Sequence, residues 1–225
     1  MKTATTTAQA KTSRYTTVEL KNYGTNSVPQ ISVRFRKGTR ESHERAALYR
    51  LAAAVERATP VNEMWSVDIK HTSDEALVYL DLFWRTPRQA AVGFETLKKV
   101  AKGWSPHTLT LTTNNQATKS KAAINNKPLT TVELDNDMCA TPQIYVRFPE
   151  GTNLRHKYAR LYELAAAVET ATPPACDEWD VQIEFTVTVD GEFIDDDARV
   201  YLEMVGTPER RERALAVLRN AVEAW

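Results

Sequence analysis

LYRLAAAVERATP, residues 48–60, returns later in the chain as LYELAAAVETATP, residues 161–173, with eleven of thirteen positions identical. The match continues outward on both sides. TTVEL at 16–20 recurs at 130–134, and PQISVRF at 29–35 returns as PQIYVRF at 142–148. ALVYLDL at 76–82 returns as ARVYLEM at 198–204, and each copy closes on a tryptophan, Trp104 and Trp225. A period of about 114 residues is too long for one unit of a solenoid. The chain is therefore expected to hold two tandem duplicated domains, at 16–104 and 130–225. A disordered tail at 1–15 precedes them and a linker at 105–129 joins them.

Each copy spells the same elements. TTVEL favours a strand, and an Asn/Gly/Thr/Pro-rich turn follows it. Ile31, Val33 and Phe35 then alternate with Gln30, Ser32 and Arg34 at the period of a strand. Gly38 breaks the strand and Thr39 suits the N-cap of a helix. Leu48, Leu51, Ala52 and Val55 carry that helix at helical spacing to Thr59-Pro60, which stops it. Trp65, Val67 and Ile69, then Val78, Leu80 and Leu82, mark two more strands. Thr86-Pro87 opens a second helix, since proline suits a first turn, and it runs to about Trp104. Copy two repeats the series, with a longer acidic hairpin at 186–197. Within the linker, TLTLT at 108–112 alternates like a strand that extends a sheet edge.

The order ββαββα, with a right-handed crossover after the first helix, leaves a gap that the last strand fills antiparallel. The expected fold is α+β. Each copy is a permuted ferredoxin-like two-layer sandwich, with a four-stranded antiparallel sheet and two helices on one face.

Composition narrows the function classes. The 225 residues carry 29 Lys/Arg and 29 Asp/Glu. Copy one is net +4, tail and linker add three positive charges each, and copy two is net −10. Such polarity steers charged partners or orients head-to-tail association. No apolar run approaches the roughly 20 residues that cross a bilayer, and the first residues do not form a secretory leader. A cytoplasmic protein without a membrane partner is expected. Cys139 and Cys176 lie only in copy two and match no zinc-ligand spacing. They are expected to be free thiols at one end of that domain. No nucleophile with a base, paired carboxylate or metal cluster recurs in both copies, so no catalysis, metal or cofactor is expected.

The sheet face away from the helices is the candidate surface. Arg34, Arg36, Tyr79, Phe83 and Trp84 in copy one, with Tyr145, Arg147 and Tyr201 in copy two, are its candidate binding residues. Trp84 is singled out because Gly206 stands at the matching place. The expected use is a protein partner or a further copy of the chain. The faces would pack within or between chains, Arg34 and Arg147 pairing with Asp81 and Glu203. The alternative is a nucleic acid or nucleotide held by the basic N-terminal half, since arginine beside aromatics on a sheet suits stacking and phosphate attraction.

Overall fold

The computed structural model describes residues 9–11, 14–23, 26–72, 75–82, 86–106, 129–134, 141–176, 179–185, 197–203 and 207–225. It is α+β, with two antiparallel sheets and four helices. The N-terminal half contains β1 (Gln9–Lys11), β2 (Thr16–Tyr23), β3 (Asn26–Val33), α1 (Glu41–Ala58), β4 (Trp65–His71), β5 (Ala76–Leu82) and α2 (Pro87–Gly103). The C-terminal half contains β6 (Leu129–Leu134), β7 (Pro142–Arg147), α3 (Leu154–Ala171), a 3-10 turn at Pro174–Cys176, β8 (Asp180–Phe185), β9 (Asp197–Glu203) and α4 (Pro208–Ala224). The sheet orders are β1-β2-β3-β5-β4 and β6-β7-β9-β8. Leaving β1 aside, the last strand of each half fills the gap between its neighbours, as the crossover requires.

Alternation along the strands sets the two faces of each sheet. Val18, Ile31, Val67, Val78 and Leu80 turn to one side, where Leu48, Leu51, Ala52 and Val55 of α1 and Leu97 and Ala101 of α2 cover them. Ile144, Val181, Val200 and Leu202 meet Leu161, Leu164, Ala165 and Val168 of α3 and Val217, Leu218 and Ala221 of α4 in the same way. Trp65 and Trp179 are buried in these cores, and Trp104 and Trp225 pack at helix ends. Cys176 is buried and free.

The helix ends show what the sequence resolves and what it does not. Pro60 and Pro173 stand just past α1 and α3, whose C-caps are Thr59 and Thr172. Thr86 caps α2 by accepting the Gln89 amide at 3.2 Å. The starts of α1 and α3 lie two residues later than Thr39 and Thr152, at Glu41 and Leu154. The hydroxyls of Thr39 and Thr152 are engaged elsewhere, donating to the carbonyls of Arg36 and Pro149. That closes a turn in which Gly38 and Gly151 take φ of +83° and +75°, a region open to glycine.

Three expectations are corrected or fall elsewhere. The segment read as a disordered tail contains β1, which pairs antiparallel with β2. Arg34 and Arg147 do not oppose Asp81 and Glu203. Gln30 opposes Tyr79, four residues before Arg34, so Asp81 lies toward the other end of β3. Arg147 is in register with Asp197, at the opposite end of β9 from Glu203. Phe83, Trp84, Cys139, residues 108–112 and most of the acidic hairpin lie outside the described residues.

Candidate functional site

The two halves meet through their helices, with the outer sheet faces turned away. α1 uses its leucine flank on its own sheet. The adjoining flank carries Ser42, Ala46, Tyr49, Ala53 and Glu56 at steps of three and four. α3 presents Arg155, Ala159, Tyr162, Ala166 and Glu169 at the matching places. The four alanines are buried yet belong to neither hydrophobic core. Small side chains on such a flank let two helices approach closely.

The contacts across this seam are reciprocal. Tyr49 Oη donates to the Val181 carbonyl at 2.7 Å, and Tyr162 Oη donates to the Val67 carbonyl at 2.5 Å. Val67 and Val181 hold matched places on β4 and β8, the outermost strands of their sheets. The two tyrosine rings lie 6.1 Å apart. Burial raises the pKa of both hydroxyls, so they remain donors.

Glu56 and Glu169 form the second reciprocal pair. Their side chains are 1% and 0% exposed. Glu169 accepts Arg45 Nε at 2.6 Å, and Glu56 accepts Arg155 Nη1 at 3.0 Å. The arginines also donate to backbone, Arg45 to the Trp179 carbonyl and Arg155 to the Glu63 carbonyl, both at 3.0 Å. The carboxylates match between copies, but their partners are offset by one turn. Arg45 aligns with Tyr158, and Arg155 aligns with Ser42. Arg40 adds a bond to the Thr172 carbonyl at 2.9 Å.

The two positions at which the thirteen-residue strings differ also face each other. Arg50 Nη2 donates to Thr170 Oγ1 at 2.8 Å, and Arg57 forms an ion pair with Glu163. Arg40, Arg45, Arg50 and Arg57 thus all reach the acidic half. The attraction expected between the halves is exerted by the helices, in place of the sheet faces.

Burial pushes the carboxyls of Glu56 and Glu169 up to about 7, against the lowering effect of Arg155 and Arg45. Asp68 adds to the rise at Glu56, and Asp180 and Glu41 add to it at Glu169. Each group binds its proton more tightly folded than unfolded. Its contribution to stability is therefore full below the ordinary value of 4.5 and is lost as pH rises through about 7. Melting temperature is expected to fall across that window. The double variant Glu56→Gln with Glu169→Gln is expected to flatten the fall, because glutamine imitates the protonated acid. An equally steep fall in the variant would assign the dependence to other groups.

The outer faces carry the residues picked out in the sequence. Gln30 and Tyr79 are paired in register on one face, and Gln143 and Tyr201 on the other. Both glutamines are buried, 2% exposed each. Gln30 donates to Glu19 at 2.5 Å, and Gln143 donates to Tyr145 Oη at 2.9 Å. Arg199 lies 5.9 Å from the Tyr201 ring centre and pairs with Glu184 at 2.8 Å. Tyr79, Tyr145 and Tyr201 are half-buried, while Arg34, Arg36 and Arg147 are exposed. Arg36 donates to Tyr15 Oη at 3.1 Å. Burial raises the Tyr79 pKa, and the charges of Asp68 and Asp81 add to it. The charge of Lys70 acts on Tyr79 in the opposite direction.

The sequence points to the alanines of LAAAV, Ala53 and Ala166 among them, as allowing close approach of a helix to a sheet or to another helix, but it passes over Tyr49, Glu56 and the arginines of the seam. Their signal lay within the duplicated string, where Tyr49 and Glu56, seven residues apart, share a helix flank and both recur as Tyr162 and Glu169. Among the described residues no three His, Cys, Asp or Glu side chains gather as a metal site needs. No helix among them is long and apolar enough to cross a membrane. Comparison with models of known families, with curated proteins and with solved structures finds no match.

Proposed function

We propose that this is a non-catalytic binding or scaffolding protein, in which two duplicated, permuted ferredoxin-like domains clamp their helices together and offer their outer sheet faces to partners. The partner is a protein or a further copy of the chain. The observation that carries this is the matched pairing of Gln30 with Tyr79 and Gln143 with Tyr201. Each outer face holds a buried amide beside a half-exposed tyrosine at the same register. Rigid tyrosines on a stiff sheet supply contact area at little entropic cost. The buried ionic groups hold the halves together and leave these faces available.

Tyr79→Glu with Tyr201→Glu tests the proposal in the full chain. The expected result is loss of native mass above the single chain, or of a co-purifying protein, with little change in melting temperature. An unchanged mass and binding profile, or a nucleic acid that co-purifies by absorbance ratio, would overturn it.

A further inference from the structure

Each sheet has two edges, and one edge of each is occupied inside the molecule. β4 receives Tyr162 and β8 receives Tyr49, at the carbonyls of Val67 and Val181. The other edges are β1 in the basic half and β6 in the acidic half, and among the described residues neither carries a further strand. Such an edge presents unpaired amides and carbonyls and is a template for another strand.

The backbone shows which groups are presented. Arg34 N donates to the Tyr15 carbonyl at 2.8 Å. Because bonding directions alternate along an antiparallel strand, Thr16 and Val18 direct their backbone groups toward β1. Val18 is in register with Ala10, which leaves Gln9 and Lys11 with backbone groups facing outward. β6 and β7 repeat the register of β2 and β3, with Thr130 opposite Val146 as Thr16 is opposite Val33. By the same alternation Thr130 and Val132 face outward from β6. The string TTVEL occurs on both β2 and β6, so β6 offers the same sequence on which β1 already lies.

Charge selects the occupant. Residues 1–129 hold 20 Lys/Arg and 10 Asp/Glu, net +10, and residues 130–225 hold 9 and 19, net −10. β1 belongs to the first part and β6 to the second. We propose that the chain associates head to tail, the β1 edge of one copy pairing with the β6 edge of the next. β1 then lies between two TTVEL strands, and the five strands of one copy run on into the four of its neighbour. The joint is heterologous, so repetition yields rings or filaments. This joint uses the sheet edges and stands apart from the outer-face contact proposed above, sharing with it only the expectation that the chain associates with further copies of itself.

The test is light scattering of the full chain over a wide concentration series. Mean mass is expected to rise above 25.4 kDa at low ionic strength and to fall back as salt screens the halves. Gln9→Pro with Lys11→Pro removes outward amides only and should hold the chain at single mass. Val132→Pro should do the same from the other side. A mixture of these two variants retains one intact β1 edge and one intact β6 edge, and should form a two-chain species and nothing larger. If Val132→Pro does not fold, the β1 variant against wild type decides alone. Single-chain mass for wild type at every concentration would overturn the proposal, as would association that persists in the β1 variant. Association abolished by Tyr79→Glu with Tyr201→Glu but untouched by the edge variants would sink this joint and leave the face reading standing.

Discussion

Glu169→Ala is expected to lower the unfolding free energy by about 3–5 kcal/mol, the usual effect of removing one partner of a buried ion pair. Arg45 is 11% exposed, and its Nε would lose its acceptor at 2.6 Å while the guanidinium stays largely out of solvent. Its remaining bonds, to the Trp179 carbonyl and Glu41, do not replace that carboxylate. Denaturant unfolding measures the effect. The double variant Arg45→Met with Glu169→Met separates the charge from the packing, because it removes both ions together. It should recover most of the lost stability. A loss below about 1 kcal/mol for Glu169→Ala would mean that Arg45 escapes to solvent, as surface pairs do.

Ala53→Leu with Ala166→Leu should open the seam. Both positions are buried, 1% and 2% exposed. Each shares a flank with the tyrosine and glutamate that bond across to the other half. Overpacking costs about 1–3 kcal/mol at a well-packed site, and two such changes at one crossing couple rather than add. The expected readout is a lower melting temperature together with a larger radius of gyration in X-ray scattering. Ala216→Leu, on the exposed side of α4, is the matched control and should stay within about 0.5 kcal/mol of wild type. A seam variant as compact and as stable as the control would show that α1 and α3 have room to spare.

Strand order and helix ends were legible because they are set by short-range chemistry. Ile31 and Val33 alternate, Thr-Pro ends two helices and begins two others, and the crossover rule orders the strands. The N-caps fall one residue later than Thr39 and Thr152, at Arg40 and Asn153, because a threonine before a helix has two uses. Thr39 and Thr152 close a turn, and no capping rule tells that from an N-cap. The contact between halves was not legible from local pattern. The flank holding Ala46, Tyr49, Ala53 and Glu56 is small, aromatic and charged in turn, so periodicity marks it neither as core nor as surface. Only recurrence in the second copy distinguishes it. The outer faces were the more conspicuous choice because Arg34 and Tyr79 resemble a binding platform. Asp68 beside Tyr79 becomes meaningful only when the register of β4 on β5 is known.

The two differences within the duplicated string are matched to each other across the seam. Two N-terminal halves joined through α1 would bring Arg50 against Arg57 twice, a like-charge clash. Two C-terminal halves joined through α3 would set Glu163 against Thr170 twice and gain no ion pair. Only the mixed pairing brings Arg57 to Glu163 and gives Arg50 a hydroxyl acceptor. Arg45 and Arg155 do not add to that choice, since each answers a glutamate that stands at the matched place on both helices. The two positions at which the strings differ are thus complementary across the seam, a basic residue on α1 facing an acidic or hydroxyl residue on α3 at each.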